Sequence, residues 1–426
     1  MARNTDIKLR DAVIYSIYVR NHTKEGTFRA IEPDLDRIKE LGTDIIWFMP
    51  IHPIGVEGKK GTLGCPYANK DYRTVNPEYG TMEDFKNLVD LIHEKDMKCI
   101  IDVVYNHTSP DSNLTKEHPE FFYRKENGDM GNRVGDWTDV VDLDYNNRDL
   151  WEYQVESLKM WASIVDGFRC DVASLVPLDF WCYAREEVAK VNPNCIWLAE
   201  TIEYGFIKYC RSLGYKVASD CEMYTAFDME YDYDIWGTFK EYVEKKAPLS
   251  RYIERLNMQE AIYPDNYIKM HCLENHDQPR IKSFIKDPVS LKNWTAFLYF
   301  QKGATLLYAG QEFENKYQPS LFEKDDISIQ TGHDLSGFMR RLYNIKKQVL
   351  ACDSDFEAIA DDKNGIVVTT RVSGHHKIVG VFSLDGKESV VKVPLEDGEY
   401  INLIGREKVV VENGELTIKE MPMILV

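Results

Sequence analysis

Short apolar runs rich in β-branched and aromatic residues alternate with longer amphipathic stretches through most of this chain. Ala12–Val19, Thr43–Met49, Lys98–Tyr105, Val165–Val172, Ile196–Thr201, Tyr267–Leu273 and Ala304–Ala309 read as buried strands, with a weaker one near Met223–Met229. Within Pro33–Leu41, Leu35, Ile38 and Leu41 fall at helical spacing. Thr81 to Asp84 resembles a capping box, and Phe85, Leu88, Val89 and Ile92 continue as one helical stripe. Leu150–Ile164 and Leu178–Val191 are also of helix length. Near-continuously apolar strands separated by helices predict a parallel sheet covered by helices. Eight such units predict an α/β fold of the (β/α)8 TIM-barrel type, whose bare form takes ~250 residues and leaves room here for insertions. An open doubly wound sheet is the alternative. No GxGxxG follows the first strand, which argues against a dinucleotide site on such a sheet.

Two regions break the rhythm. Thr108–Asn146 is polar with little periodicity and follows the third strand. After about Cys352 the pattern turns to strands alone: Gly365–Val372, Lys377–Leu384, Ser389–Val393 and Glu407–Val411, with Asp385-Gly386 and Asn413-Gly414 as turn signals. The expected division is a barrel over 1–107 and 147–351, an insertion over 108–146, and a C-terminal antiparallel β domain over 352–426.

Composition acts mainly by exclusion. The 52 basic and 70 acidic residues leave a net charge of −18, which argues against nucleic acid or an anionic membrane as partner. No stretch approaches 18 consecutive apolar residues, so no membrane span is expected. The N-terminal MARNTDIKLRDAVIYSIYV lacks a signal-peptide pattern, and the 9 cysteines show no CxxC pair. Reduced thiols and a cytoplasmic location are the expectation. Nothing in the sequence sets an oligomeric state.

The candidate chemistry lies at strand ends. The third strand ends in Asp102 to His107, the fourth in Arg169-Cys170-Asp171, the fifth in Leu198-Ala199-Glu200 and the seventh in Glu274 to Asp277. In a barrel these ends converge on the face where active sites are built. Arg169 and Asp171 are two apart and so share one strand face. Carboxyl groups flanking a bond, without a phosphate loop, point to glycoside hydrolysis, and a separation of ~5–5.5 Å gives retention of configuration. One carboxylate must stay ionised and one protonated. Arg169 is expected to keep Asp171 ionised, and the apolar Trp197 and Leu198 to raise the pKa of Glu200 for acid duty. A zinc hydrolase is the metal-dependent rival, but no HxH or HExxH spacing supports it.

These strings resemble the α-amylase family of glycoside hydrolases, family 13, and are similar to its bacterial intracellular α-amylases. DVVYNH (102–107), GFRCD (167–171), LAE (198–200) and ENHD (274–277) match its four characteristic regions in order, and GTDIIWFMP (42–50) and VDLDY (141–145) match two further segments. The resemblance implies Asp171 as nucleophile, Glu200 as general acid/base and Asp277 as the third carboxylate. It implies Tyr67, His107, Arg169, His276 and Arg280 as ligands of the sugar, with Asp102 and Asn106 as supports. Trp137, Trp181, Tyr105, Tyr204 and Tyr317 are further aromatic residues, with core packing the expectation for each.

The implied architecture is a barrel, a short inserted domain B and a C-terminal β-sandwich. The implied activity is cleavage of α-1,4-glucosidic bonds in maltooligosaccharides and starch fragments through a glycosyl-aspartate. A 4-α-glucanotransferase or a cyclomaltodextrinase-like enzyme is the alternative, and a non-catalytic carbohydrate-binding relative the remote one. Ser174 and Leu175 stand where many α-amylases carry Lys-His against the leaving-group sugars, so the acceptor side departs from the pattern. The chemistry requires no cofactor. Calcium stays open, since Asn106 matches a common ligand while that histidine is absent.

Overall fold

A computed structural model describes residues 4–135 and 137–426; residues 1–3 of the N-terminal segment and residue 136 of the insertion lie outside the described residues. Eight parallel strands close into a barrel. They are β1 (Val13–Ile17), β2 (Ile45–Phe48), β3 (Lys98–Val103) and β4 (Gly167–Cys170), then β5 (Ile196–Ala199), β6 (Met229–Tyr231), β7 (Lys269–His271) and β8 (Ala304–Tyr308). Each pairs with its chain neighbours, and β8 pairs with β1. The strands are buried on both faces, as a barrel wrapped by helices requires.

Local chemistry sets the helix ends. Thr81 Oγ1 accepts from the Asp84 amide at 3.1 Å, and Asp84 Oδ2 accepts from the Thr81 amide at 2.9 Å. This capping box opens the helix Met82–Glu94, whose Phe85, Leu88, Val89 and Ile92 are buried. The helices Leu35–Gly42, Arg148–Ala162 and Leu178–Ala189 occupy the other predicted stretches. The sixth strand differs from its expectation. Ser219 and Glu222 form a second capping box, so Asp220–Met223 makes a helical turn and the strand begins only at Met229. The capping signal outweighs the β-rich composition there.

The insertion carries little regular structure. His107–Thr108 pairs antiparallel with Val141–Asp142, and Asn113–Glu117 is a short helix. Beyond the helix Ser336–Gln348 the chain is all β. Asp355–Asp361, Ile366–Ser373, His376–Ser383 and Met423–Leu425 form a four-stranded antiparallel sheet, accompanied by two two-stranded pairs. Ile366, Val379, Val381, Val391, Leu416 and Ile418 fill a core of their own. Asn413 and Gly414, with φ of 55° and 70°, form the two-residue hairpin turn that their dipeptide predicts.

Candidate active site

The barrel register brings the strand-end residues together. Asp102 on β3 lies beside Arg169 on β4, which lies beside Leu198 on β5. Arg169 is completely buried. Its Nη1 donates to Asp102 Oδ1 and Oδ2 at 3.0 and 3.1 Å and to Asp171 Oδ1 at 2.9 Å. Nη2 lies 2.8 Å from Glu200 Oε1, an ion pair without the alignment of a hydrogen bond. Nε donates to the Tyr231 hydroxyl at 3.2 Å. The rings of Trp47, Tyr67 and Tyr231 pack around the guanidinium. One planar fork thus serves three carboxyl groups in fixed directions.

Asp277 joins through a second limb. His276 Nε2 is 3.0 Å from Asp277 Oδ2 and 2.7 Å from the Tyr67 hydroxyl, which donates to Asp102 Oδ2 at 3.0 Å. The Tyr67 and His276 rings stack with 5.5 Å between centroids. The Asp277 side chain is 41% exposed, against 9% for Asp171 and 7% for Glu200. Asp277 therefore stands at the rim and the other two at the floor. His107 Nε2 lies 4.0 Å from Asp171 Oδ2.

Burial sets the protonation. It pushes Asp171 and Glu200 up to about 7 and Asp102 up to about 6, with Arg169 pulling each the other way. The expectation that Arg169 keeps Asp171 ionised is therefore narrowed: Asp171 gives up its proton only from about neutral pH upward. One guanidinium divided among three buried carboxyl groups does not cancel their desolvation, and the cluster retains a proton near neutral pH. Burial also raises Asp277, but the His276 pair and Arg169 bring it below its ordinary value. Burial lowers His276, and Asp277 more than restores it.

Backbone strain sits at the same place. Val172, directly after Asp171, has φ 36° and ψ 44°, a left-handed conformation that β-branched residues avoid. Such a residue costs on the order of 1–3 kcal/mol. In this conformation its N–H donates to Glu200 Oε2 at 2.7 Å.

Two residues predicted as sugar ligands lie beneath the mouth: Arg169, fully buried on its carboxyl groups, and Arg280. Arg280 is 1% exposed, with Nη1 2.6 Å from Glu274 Oε1, Nη2 2.8 Å from the Ala309 carbonyl and its charge over the Tyr308 ring. The chain has turned inward by this point, and buried Glu274 takes the cation. Arg280 clamps the loop carrying Asp277 to the end of β8 and has no free surface for a sugar. Trp181 stacks on Tyr105 in the core, whereas Trp137 lies 5.7 Å from the His107 ring and Tyr204 and Tyr317 are exposed. Ser174 is buried, and Leu175 packs with Val134, Ile207, Cys210 and Val217.

Sequence reasoning missed Trp47 and Tyr231, two rings on Arg169. Trp47 lay in plain sight within the second-strand string. Tyr231 was hidden because the sixth strand was expected upstream of it. A calcium ion at Asn106, which the resemblance left open, does not fit the donors. Asn106 Oδ1 already accepts from Arg133 Nη2 at 3.2 Å, so the oxygen a calcium ion would need faces a protein cation.

Known proteins match this chain along nearly its whole length. The family model described as "Alpha amylase, catalytic domain" matches residues 13–130 and 134–363, and "Bacterial Alpha amylase C-terminal domain" matches 357–425. The crystal structure of an α-amylase from Lactobacillus plantarum superposes with a TM-score of 0.95 at 45% identity, covering 99% of both chains. A maltogenic α-amylase from Thermotoga neapolitana gives 0.87 at 35% identity over 98% of this chain and 99% of that one. Among curated sequences, the α-amylase MalA of Haloarcula japonica is 25% identical over 93% of this chain, which spans 59% of that protein's length. Match across the catalytic barrel and the C-terminal sheets together establishes that this chain belongs to the α-amylase family, family 13 of the glycoside hydrolases.

Proposed function

We propose that the protein hydrolyses internal α-1,4-glucosidic bonds of maltooligosaccharides and starch fragments with retention of anomeric configuration. The carrying observation is the unequal bonding of two buried carboxyl groups to one cation. Asp171 takes an aligned charge-assisted hydrogen bond from Arg169, whereas Glu200 meets Arg169 only at ion-pair distance and takes a weaker, neutral bond from the Val172 amide. The retained proton therefore belongs on Glu200. An Asp171 oxygen attacks the anomeric carbon while the glycosidic oxygen departs with the Glu200 proton. Glu200, now a carboxylate, takes a proton from water, which attacks the same carbon and releases Asp171. Asp277 holds sugar hydroxyls at the rim, with buried His276 fixing it from behind, and the Tyr67 ring offers a stacking face.

A second reading is transfer to a sugar acceptor. It draws on the acceptor side, where Leu175 lies in an apolar cluster and offers neither cation nor imidazole to the departing sugar. A product profile on maltotriose through maltoheptaose and cyclodextrin, with the anomer of the first product recorded by NMR, tests both readings. Shorter products of α configuration are expected. Products longer than the substrate establish transfer, and a first product of β configuration overturns the glycosyl-aspartate.

A further inference from the structure

The inserted segment is tied to the barrel at one buried carboxylate. Asp142 pairs with His107 across the two-residue ladder and is 1% exposed. A buried carboxylate needs a cation or several donors. Asp142 Oδ2 accepts from the Arg133 amide at 2.8 Å, with Arg133 Nε at 3.5 Å, and Oδ1 accepts from Asn132 Nδ2 at 3.3 Å. The far end of the same guanidinium donates from Nη2 to Asn106 Oδ1 at 3.2 Å. Arg133 thus spans an oxygen of the insertion and an oxygen at the end of β3, the two sides a bound cation would have to bridge.

The contact also reaches the catalytic floor. An arginine only donates, so the Asn106 atom facing it is the amide oxygen. That leaves Asn106 Nδ2, itself a donor, against His107 Nδ1 at 3.2 Å. His107 Nδ1 must then be the unprotonated nitrogen, and the ring proton sits on Nε2, 4.0 Å from Asp171 Oδ2. Burial lowers the His107 pKa and outweighs Asp142, Asp139, Glu200 and a hydrogen bond to the Tyr67 backbone, all of which raise it.

We propose that Arg133 is the built-in cation of this junction, in place of calcium, and that it acts through Asn106 to hold the His107 proton on Nε2. Arg133 is a positioning residue that touches no substrate. The proposal uses the proposed function only in taking Asp171 as the nucleophile that this proton faces.

The first arm uses the wild-type protein stripped with EDTA and titrated with calcium chloride alone, followed by calorimetry and thermal unfolding. No saturable heat and an unchanged Tm are expected; one equivalent bound with a raised Tm overturns the proposal. The second arm reads the side-chain nitrogens of 15N-histidine-labelled protein, with His107 assigned by its loss in His107→Gln. A neutral Nε2–H ring is expected in the wild type, and an Nδ1–H ring overturns the proposal without any arginine variant. In Arg133→Met the tautomers mix and kcat falls about tenfold, as losing the partner that orients an imidazole does. An unaltered tautomer in folded Arg133→Met is the contrary result. Neither the calcium nor the tautomer reading depends on turnover, so failure of the proposed function and failure of this inference are told apart.

Discussion

Arg169 and Lys269 are both completely buried cations, and each sits among three carboxylates. Lys269 Nζ lies 2.5 Å from Asp220, 3.2 Å from Glu230 and 3.5 Å from Asp234. Tyr231 stands between the clusters: its hydroxyl accepts from Arg169 and its carbonyl from Lys269. Alternation along β6 turns Tyr231 into the barrel and the preceding Glu230 out toward the helices. The Lys269 set is walled by Tyr224 and Tyr263 and faces the helices; Glu230 is wholly enclosed, while the side chains of Asp220 and Asp234 are 10% and 19% exposed. The Arg169 set lies at the strand ends and opens at the barrel mouth through Asp277, whose side chain is 41% exposed, with Asp171 and Glu200 beneath it. Charge burial is common to both. A site additionally needs its carboxyl groups gathered under one mouth, and the C-terminal strand ends of the barrel supply it.

The sharpest way to break this comparison is to remove one carboxylate from the open set. Asp171→Asn is expected to lower the rate of reducing-end release from maltoheptaose by at least about 10⁴-fold, the scale seen when a nucleophile is lost. Its circular dichroism should match the wild type. Activity within tenfold of wild type would erase the functional distinction between the clusters. The closed set should fail in the other currency. Lys269→Met strands Glu230, Asp220 and Asp234 without their cation, and an uncompensated buried charge costs about 3–5 kcal/mol. Urea unfolding at pH 7 measures it. An unchanged midpoint would mean that these carboxyl groups simply take up protons, and that Lys269 is dispensable.

The sequence displays the open set far better than the closed one. Asp102, Arg169, Asp171, Glu200 and Asp277 end strands whose apolar runs are clear, so their convergence follows from the barrel alone. Lys269 and Glu230 lie inside strands and face outward, and no local pattern says that Asp220, on a helical turn, completes their cluster. Arg280 was misread for a related reason. Its place three residues after Asp277 is visible, but the inward turn that delivers it to Glu274 is a tertiary event. The hairpin at Asn413-Gly414 lies at the opposite extreme, since two residues with positive φ announce it locally. Protonation was legible in sign for Glu200 and not for Asp171, because the share of one arginine left to each carboxylate depends on how many claim it.

That division of one cation predicts the smallest and most discriminating effect. Burial raises the Asp171 pKa in the folded protein to about 7, from an ordinary value of 3.8. Between those two pH values the folded state holds a proton that the unfolded chain has released. Stability therefore falls as pH rises through this window, and the loss is complete above about 7. Asp171→Asn removes the titration and leaves an amide oxygen to accept from Arg169. The variant is expected to unfold at a higher temperature than the wild type at pH 8, with the gap closing as pH falls toward 4. Thermal scans from pH 4 to pH 8 on both proteins measure it. A variant less stable than the wild type at pH 8 would make the Asp171–Arg169 pair a net stabilising salt bridge. The catalytic floor would then be held by its charges, as the Lys269 cluster is, and would not be strained by them.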